Sequence, residues 1–396
     1  MVFGQVGISH PSLAAMTDLI GNKLSREGLH YRFTKPAVRL LQKCLEFVLR
    51  QKLVACGLNC SELNGFKAVK ILDSSSWDVH EKLKRILAGS GGSASQANCK
   101  VQTVYEYISG RLEFFKITRG TIPDQKYSAQ IPTLVKAGEL VIFDRGYFRV
   151  KTLSEIDTQG AYFLTRLVTS VNLFDSLDNP IYLQNLLGAH SGNTLEIPIV
   201  FKNSSVKLPC RLICLRVPEQ VSEQRRRKLN AEAKKQGTTP SAKTMALCDW
   251  TLIITNTPEK LIPIEKALQF YALRWQIELI FKQFKSVLAI HHSNTSNHLR
   301  LLCEIYGKLI AATLLAQSHA IINNKLWNSS NQEVSFDKFF KRFRERAFKL
   351  TTILLLSTKK ARKLCNTEFK KSARNCKKLY QKSRQTSLQK LVHAHA

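Results

Sequence analysis

The sequence predicts an α/β fold, a mixed sheet flanked by helices, and three observations carry that prediction. Short β-prone apolar runs end in acids, at Ala68-Val69-Lys70-Ile71-Leu72 before Asp73 and at Leu140-Val141-Ile142-Phe143 before Asp144. Val101 to Ile108 and Leu112 to Thr118 read as two strands of a hairpin turning at Ser109-Gly110. Phe270 to Lys285 contains no Gly or Pro, and its apolar residues recur at helical spacing.

Taken in order, residues 1–65 read as helical. Pro36 to Leu49 places apolar residues near i, i+3, i+4 and i+7, opening on a proline suited to a first helical turn. Strand patterns begin at Phe66. The loop Gly89-Ser90-Gly91-Gly92-Ser93 lacks the Lys-Ser/Thr ending of a phosphate loop and reads as a flexible connection. A short helix is expected over Tyr127 to Ala137, before the Asp144 strand. The interval from Asp144 to Glu278 is far longer than a compact connection needs. It holds β-prone runs at Ala161–Val168, Leu195–Phe201, Leu208–Val217 and Trp250–Thr255, with a basic helical stretch over Glu223–Lys235 between them. After Glu278 the apolar helix is expected to continue through Ile305–Leu315. The stretch from Lys338 to Lys390 carries 18 Lys and Arg against Glu345 and Glu368 alone.

A chain of 396 residues is long enough for two or three units with sizeable cores. Its 60 Lys+Arg against 29 Asp+Glu leave a net charge of +31, which fits a polyanion partner through release of counterions. Membrane-surface binding is the rival, but no basic amphipathic anchor opens the sequence. Met1 to Ile20 lacks the basic start and apolar core of a signal peptide, and no stretch reaches the roughly 20 apolar residues of a spanning helix. Only Cys56/Cys60 and Cys210/Cys214 are close pairs among the ten Cys, and neither has a second pair at zinc-site spacing. Reduced thiols in a cytoplasm are the expectation.

On the Phe270–Lys285 helix, Tyr271, Arg274, Glu278 and Lys285 fall within roughly 60° of one another. Leu273, Ile277, Ile280, Phe281 and Phe284 crowd the opposite side. Glu278 is spaced i,i+4 from both Arg274 and Lys282, as in an ordinary solvated helix face. An Asp after a strand is likewise an ordinary turn former. Together, though, two strand-end Asp residues and a helical Glu bring three carboxylates to a sheet edge, where open sheets place ligands. Clustered acids repel unless hard divalent cations sit between them, and two such metals suit a phosphoryl transfer. Asp78, in Asp73-Ser-Ser-Ser-Trp-Asp78, is a second candidate for the first acid.

Tyr271-x2-Arg274-x3-Glu278-x6-Lys285 resembles the YREK signature of bacterial DDE transposases of the IS-four insertion-sequence family. Asp73-Ser-Ser and Asp144-Arg145-Gly-Tyr look like the other two acidic motifs, in the right order. The stretch from Leu215 through Arg225-Arg226-Arg227-Lys228 to Trp250–Asn256 is also similar, so the resemblance covers about Phe66 to Leu315. It implies an RNase H-like core over 66–165 and 261–325, interrupted by a β-rich insertion over 166–260. A helical amino-terminal region over 1–65 and a basic carboxyl-terminal region over 326–396 would flank it, and both are expected to contact DNA. Family members carry a longer amino-terminal part that helps recognise the transposon end.

The implied activity is cut-and-paste strand cleavage and transfer through a hairpin at the transposon end, with Asp73, Asp144 and Glu278 holding two Mg²⁺ ions that Mn²⁺ replaces. Tyr271, Arg274, Lys285, Arg145 and Lys282 would contact DNA. The implied partners are double-stranded DNA, both terminal inverted repeats and target, and a second subunit in a paired-end complex at the bacterial nucleoid. Trp250 has two open readings, a platform for a flipped base or a cover for the sheet core. A nuclease without strand transfer and a DNA-binding derivative without catalysis are the rival functions.

Overall fold

The structure is a computed structural model that describes residues 12–19, 24–51, 57–92, 94–202, 206–346, 357–378 and 385–392. Met1 to Pro11, Ile20, Cys56 of the first cysteine pair and Ser93 of the Gly/Ser loop therefore lie outside the described residues. The strands are β1 (Val69–Asp78), β2 (Asn98–Glu106), β3 (Arg111–Arg119), β4 (Leu140–Phe143), β5 (Tyr162–Arg166), β6 (Thr194–Lys202), β7 (Lys207–Arg216) and β8 (Trp250–Thr255). The helices that position the site are α1 (Lys35–Arg50), α2 (Glu219–Lys235), α3 (Ala267–Ala272), α4 (Trp275–Ser286) and α5 (His298–Ser330). Two more, α6 (Phe336–Glu345) and α7 (Thr358–Asn375), follow. No helix among the described residues is long and apolar enough to cross a membrane.

The chain divides into two compact units. The first comprises Met1–Ser61, Ile71–Pro123 and Trp275–Gln385. Its strands run in the order β3-β2-β1. β2 and β3 pair antiparallel with a bulge at Val104/Tyr105, and Gly110 turns between them at φ 72°, where a side chain would be strained. The long helix α5 supplies much of this unit's interior. Leu301, Leu309, Ala311, Ala312 and Leu315 are buried along it, and its buried polar groups reach carbonyls. Gln317 donates to Val48 O at 3.0 Å and Trp327 Nε1 to Asn59 O at 3.0 Å. Met16, Leu29, Phe33, Val38 and Cys303 form a second cluster.

The basic carboxyl-terminal stretch is helical where described, with a buried apolar side. Phe339 and Phe340 of α6 are fully buried, and the Phe336 ring lies 4.4 Å from that of buried His319. Glu368 of α7 pairs with Arg342 and Arg346 of α6. Lys359, Lys360, Lys363, Lys370 and Lys371 on α7 remain exposed.

The second unit comprises Glu62–Lys70, Asp124–Arg274 and Thr386–Ala396. Its strand order is β4-β5-β8-β7-β6. β4 and β5 are parallel, and β5-β8, β8-β7 and β7-β6 are antiparallel. The strands expected of the insertion thus extend outward from β5 in one mixed sheet. Residues entering β1 join β4 through Leu140 N to Ala68 O at 2.9 Å, and buried Lys70 pairs with Glu139 at 2.8 Å. The Cys210 and Cys214 thiols are buried on β7, and burial pushes Cys214 up to about 12, unlike a metal thiolate.

Three expectations are corrected. Asp73 does not end its strand, because Ser74-Ser75-Ser76 stay extended and β1 runs on to Asp78. The Phe270–Lys285 helix is two helices, and it does not continue to Leu315, because α4 ends at Ser286 and α5 begins only at His298. Leu273 N and Arg274 N bond back three residues, to Phe270 O and Tyr271 O, and this tighter turn separates α3 from α4. Apolar periodicity reads straight through such a turn, since both helices still bury one side. The Tyr127–Ala137 helix is broken into Asp124–Tyr127, a 3₁₀ turn at Ser128–Gln130 and Ile131–Leu134, around a proline that has no backbone donor at Pro132.

Candidate active site

Asp144 directly follows β4, and β5 runs parallel beside it, so the carboxyl ends of both strands open on one edge of the second unit's sheet. The backbone at Asp144 starts a 3₁₀ turn, but its side chain caps nothing there. Instead it accepts a hydrogen bond from the Tyr271 hydroxyl at 3.1 Å. The turn-former reading of Asp144 is therefore incomplete. Burial, with the Asp144 carboxylate beside it, pushes the Tyr271 phenol well above its usual range, so it stays protonated and donates.

What brings Tyr271 to that edge is legible in two partly buried hubs. Arg211 on β7 grips Glu196 of β6 through two bonds of 2.6 and 2.7 Å. Its remaining nitrogen donates to Thr257 O and Ile262 O, both at 3.0 Å, tying down the run that leads into α3. Asn256 donates to Asp157 at 2.8 Å and Ala161 O at 2.9 Å, and accepts from Phe163 N at 2.8 Å. Neither hub was anticipated. Their sequence signal is only a charged or amide residue set inside a β-rich stretch.

Tyr271→Phe keeps the ring and removes the donor. It is expected to cost about 1–2 kcal/mol, the worth of a hydrogen bond to a charged group that is partly exposed. Denaturant unfolding measures it, and an unchanged midpoint would mean that Asp144 draws nothing from the hydroxyl.

The first unit holds the other two acids. Asp73 is half-buried in β1 and accepts Ser74 N at 2.8 Å. Glu278 is half-buried in the first turn of α4. Lys285, in the last turn of α4, donates to Ser76 O of β1 at 2.9 Å, so the helix bearing Glu278 is pinned to the strand bearing Asp73. Burial lowers the Lys285 ammonium from its ordinary value. Asp78 is exposed at the strand's end, where Asn98 donates to it at 2.9 Å, which favours Asp73 as the first acid. Arg274 is half-buried in the turn between α3 and α4, while Arg145 and Lys282 are exposed.

Asp73 and Glu278 in the first unit and Asp144 in the second each offer carboxylate oxygens, the hard donors that divalent cations take. Among the described residues, no group of three or more His, Cys, Asp or Glu side chains is gathered to hold a metal.

Within the second unit, a cavity of about 350 Å³ is lined by Arg145, Arg166, Arg225, Lys228, Glu232 and Trp250, among others. Arg145 follows Asp144 and Arg166 ends β5, so this cationic cavity opens at the same sheet edge. Arg225 is fixed in its wall by bonds to Trp250 O at 2.8 Å and Thr251 Oγ1 at 2.9 Å. Trp250 itself is 4% exposed, and the Arg216 guanidinium covers its ring at 4.6 Å. Arg166 and Arg225 were not singled out from the sequence, although Arg225 opens the conspicuous Arg-Arg-Arg-Lys run.

Comparison with known proteins adds a lineage to this geometry. The transposase DDE domain family matches residues 64–314. The transposase for insertion sequence element IS231B of Bacillus thuringiensis subsp. berliner is 31% identical over 80% of this chain and 70% of its own length. The transposase for IS1151 of Clostridium perfringens is 28% identical over 79% of this chain and 70% of its own. A solved piggyBac transposase synaptic complex with hairpin DNA shares a TM-score of 0.47 at 10% identity, covering 97% of this chain and 76% of that one. At that level the likeness carries no argument about the site.

Proposed function

The chain belongs to the transposase DDE domain family as an insertion-sequence transposase, and from that premise we propose that Asp73, Asp144 and Glu278 hold two Mg²⁺ ions for DNA strand cleavage and strand transfer. The observation that carries this reading is the hydrogen bond from Tyr271, the first residue of the signature, to Asp144 of the second acidic motif. The family works with divalent metals, and Mg²⁺ is the member that carboxylate and phosphate oxygens suit best. When bound, the ions activate the attacking oxygen and stabilise the leaving one.

The chain's own residues do the rest. Tyr271 orients the Asp144 carboxylate through its hydroxyl. Arg274, Arg145, Lys282 and Lys285 hold phosphates beside the scissile bond, Arg with two parallel donors where geometry allows. Arg145, Arg166 and Lys228 make the cavity beside Asp144 strongly cationic, and its volume lies within the ~300–1,000 Å³ of small-ligand sites. It suits a nucleotide extruded at the transposon end, with Trp250 in the wall, which supports a hairpin route. Two subunits would pair two transposon ends, acting in the cytoplasm at the nucleoid.

A plasmid carrying both terminal repeats tests the reading with Mg²⁺ present. Excised ends and joined products are expected. Cleavage without joining, given a free 3′-hydroxyl, would favour a nuclease of the same fold.

Charge gives a second test. The net charge of +31 predicts DNA binding that falls steeply with salt. Truncation within α6 would remove buried Phe339 and Phe340, so the cleaner variant changes exposed Lys359, Lys360, Lys363, Lys370 and Lys371 to Gln. The log–log salt slope is expected to flatten by about 0.9 for each phosphate that is no longer neutralised. An unchanged slope would place α7 off the DNA.

A further inference from the structure

The link between α4 and α5 is held at both ends by buried charged side chains, Lys308 and Glu304. At its start, Ala289 adopts a left-handed φ of 48°, a position usually given to Gly. Leu288 N and Ile290 N bond back to Gln283 O at 3.1 Å and Phe284 O at 3.0 Å, closing α4 around that residue. The Ala289 carbonyl receives the Lys308 ammonium at 2.6 Å, and Lys308 is fully buried. Farther along, the Ser293 hydroxyl donates to Glu304 Oε2 at 2.6 Å, and Arg300 Nε donates to Glu304 Oε1 at 2.8 Å. Glu304 is 1% exposed and stands one turn before Lys308 on α5. So one helix grips two points of the link that leaves the other.

Burying an ammonium and a carboxylate costs desolvation that an apolar pair of equal volume avoids. What the charged pair adds is fixed geometry at named atoms. That geometry bears on α4, whose last turn is also tied to β1 through Lys285 and Ser76 O at 2.9 Å. Glu278 lies about 10 Å up the same helix by its rise per residue. A hydrogen-bonded helix moves as a rod, so a shift of its closing turn reaches Glu278 and changes its place against Asp73 on β1.

We propose that Lys308 is a positioning residue for the reaction: by holding the Ala289 carbonyl, it fixes the α4 helix and with it Glu278. The proposal rests on the reading of Glu278 as a metal-holding acid. Lys308 touches neither DNA nor metal in this role and acts only through the backbone it holds.

The test compares full-length wild type, Lys308→Met and Lys308→Arg by thermal unfolding, hydrogen exchange and steady-state cleavage of a terminal-repeat DNA. Met matches the stem and lacks the donor. Its expected signature is faster exchange confined to peptides within residues 275–297, a near-normal melting temperature, and kcat lowered about 100-fold with KM for DNA unchanged. Arg, which retains a donor, should recover part of kcat. Ser293→Ala, which deletes a single bond at the far end of the link, should show the same pattern more weakly and serves if Lys308→Met does not fold.

An unchanged kcat per folded molecule would overturn the proposal. Exchange rising across the whole chain, with losses that track the unfolded fraction, would overturn it equally by reducing Lys308 to a core residue. Failure of the underlying reading looks different. An active Glu278→Ala protein would remove the acid's role, while the local exchange response of Lys308→Met would still report the hold on α4.

Discussion

Replacing Glu278 with Ala, or Asp73 or Asp144 likewise, is expected to lower DNA cleavage by at least about 10³-fold, the effect of some 4 kcal/mol on the barrier. On the proposed reading each acid would supply oxygen ligands to a metal, so removing one would strip that metal of part of its hold. Folding should survive, because all three side chains are only half-buried. DNA binding should survive as well, and strengthen slightly, since removing a carboxylate raises a net charge already at +31. Asp73→Asn and Asp144→Asn keep the shape and one oxygen, and they are expected to fail nearly as badly, because a neutral amide is a weak ligand for a hard dication. Nicking and filter-binding assays on the same preparations measure both halves. A Glu278→Ala protein that nicks at the wild-type rate removes the assignment.

How much of this was legible in the sequence depended on the range of the interaction involved. β8 runs over Trp250–Thr255 and β6, β7 and the β2–β3 hairpin lie where alternation and turn residues put them, because those signals are local. The Phe270–Lys285 segment shows the limit. Its apolar spacing is satisfied equally by one helix and by two joined at Leu273-Arg274, and only the hydrogen bonds at that turn decide. Asp73 misled for a related reason. An acid closing an apolar run reads as a strand end, yet β1 continues through Ser74-Ser75-Ser76 beside β2, so pairing overrode weak local preference. Of the site, the signature residues were legible as a spaced pattern. The Tyr271–Asp144 bond spans 127 positions and was not. Nor was Lys308, which in sequence is a lone cation within an apolar helix and in space caps the Ala289 carbonyl.

Trp250→Ala is expected to cost about 3–5 kcal/mol of folding stability, the usual range for emptying a large aromatic site. The structure gives the reason. The side chain opens β8 at 4% exposure, under the Arg216 guanidinium at 4.6 Å and beside the His190 ring at 5.9 Å. Truncation leaves Arg216 without its aromatic floor and opens the wall of the cationic cavity. Buried position and a DNA role are separable, because they respond differently to a ring of smaller size. Trp250→Phe refills most of the volume and should return most of the stability. If the cavity takes an extruded base, even a folded variant loses stacking worth roughly 1–3 kcal/mol per base. At a temperature where Trp250→Ala is fully folded by circular dichroism, the first nick should therefore persist while the hairpin product falls, with Phe intermediate. The measurement is the ratio of hairpin to nicked DNA on one gel, set beside the unfolding curve of each variant. An unchanged ratio in a folded Trp250→Ala protein would leave Trp250 as a core residue alone, and the cavity would then have to hold its ligand through Arg145, Arg166 and Lys228.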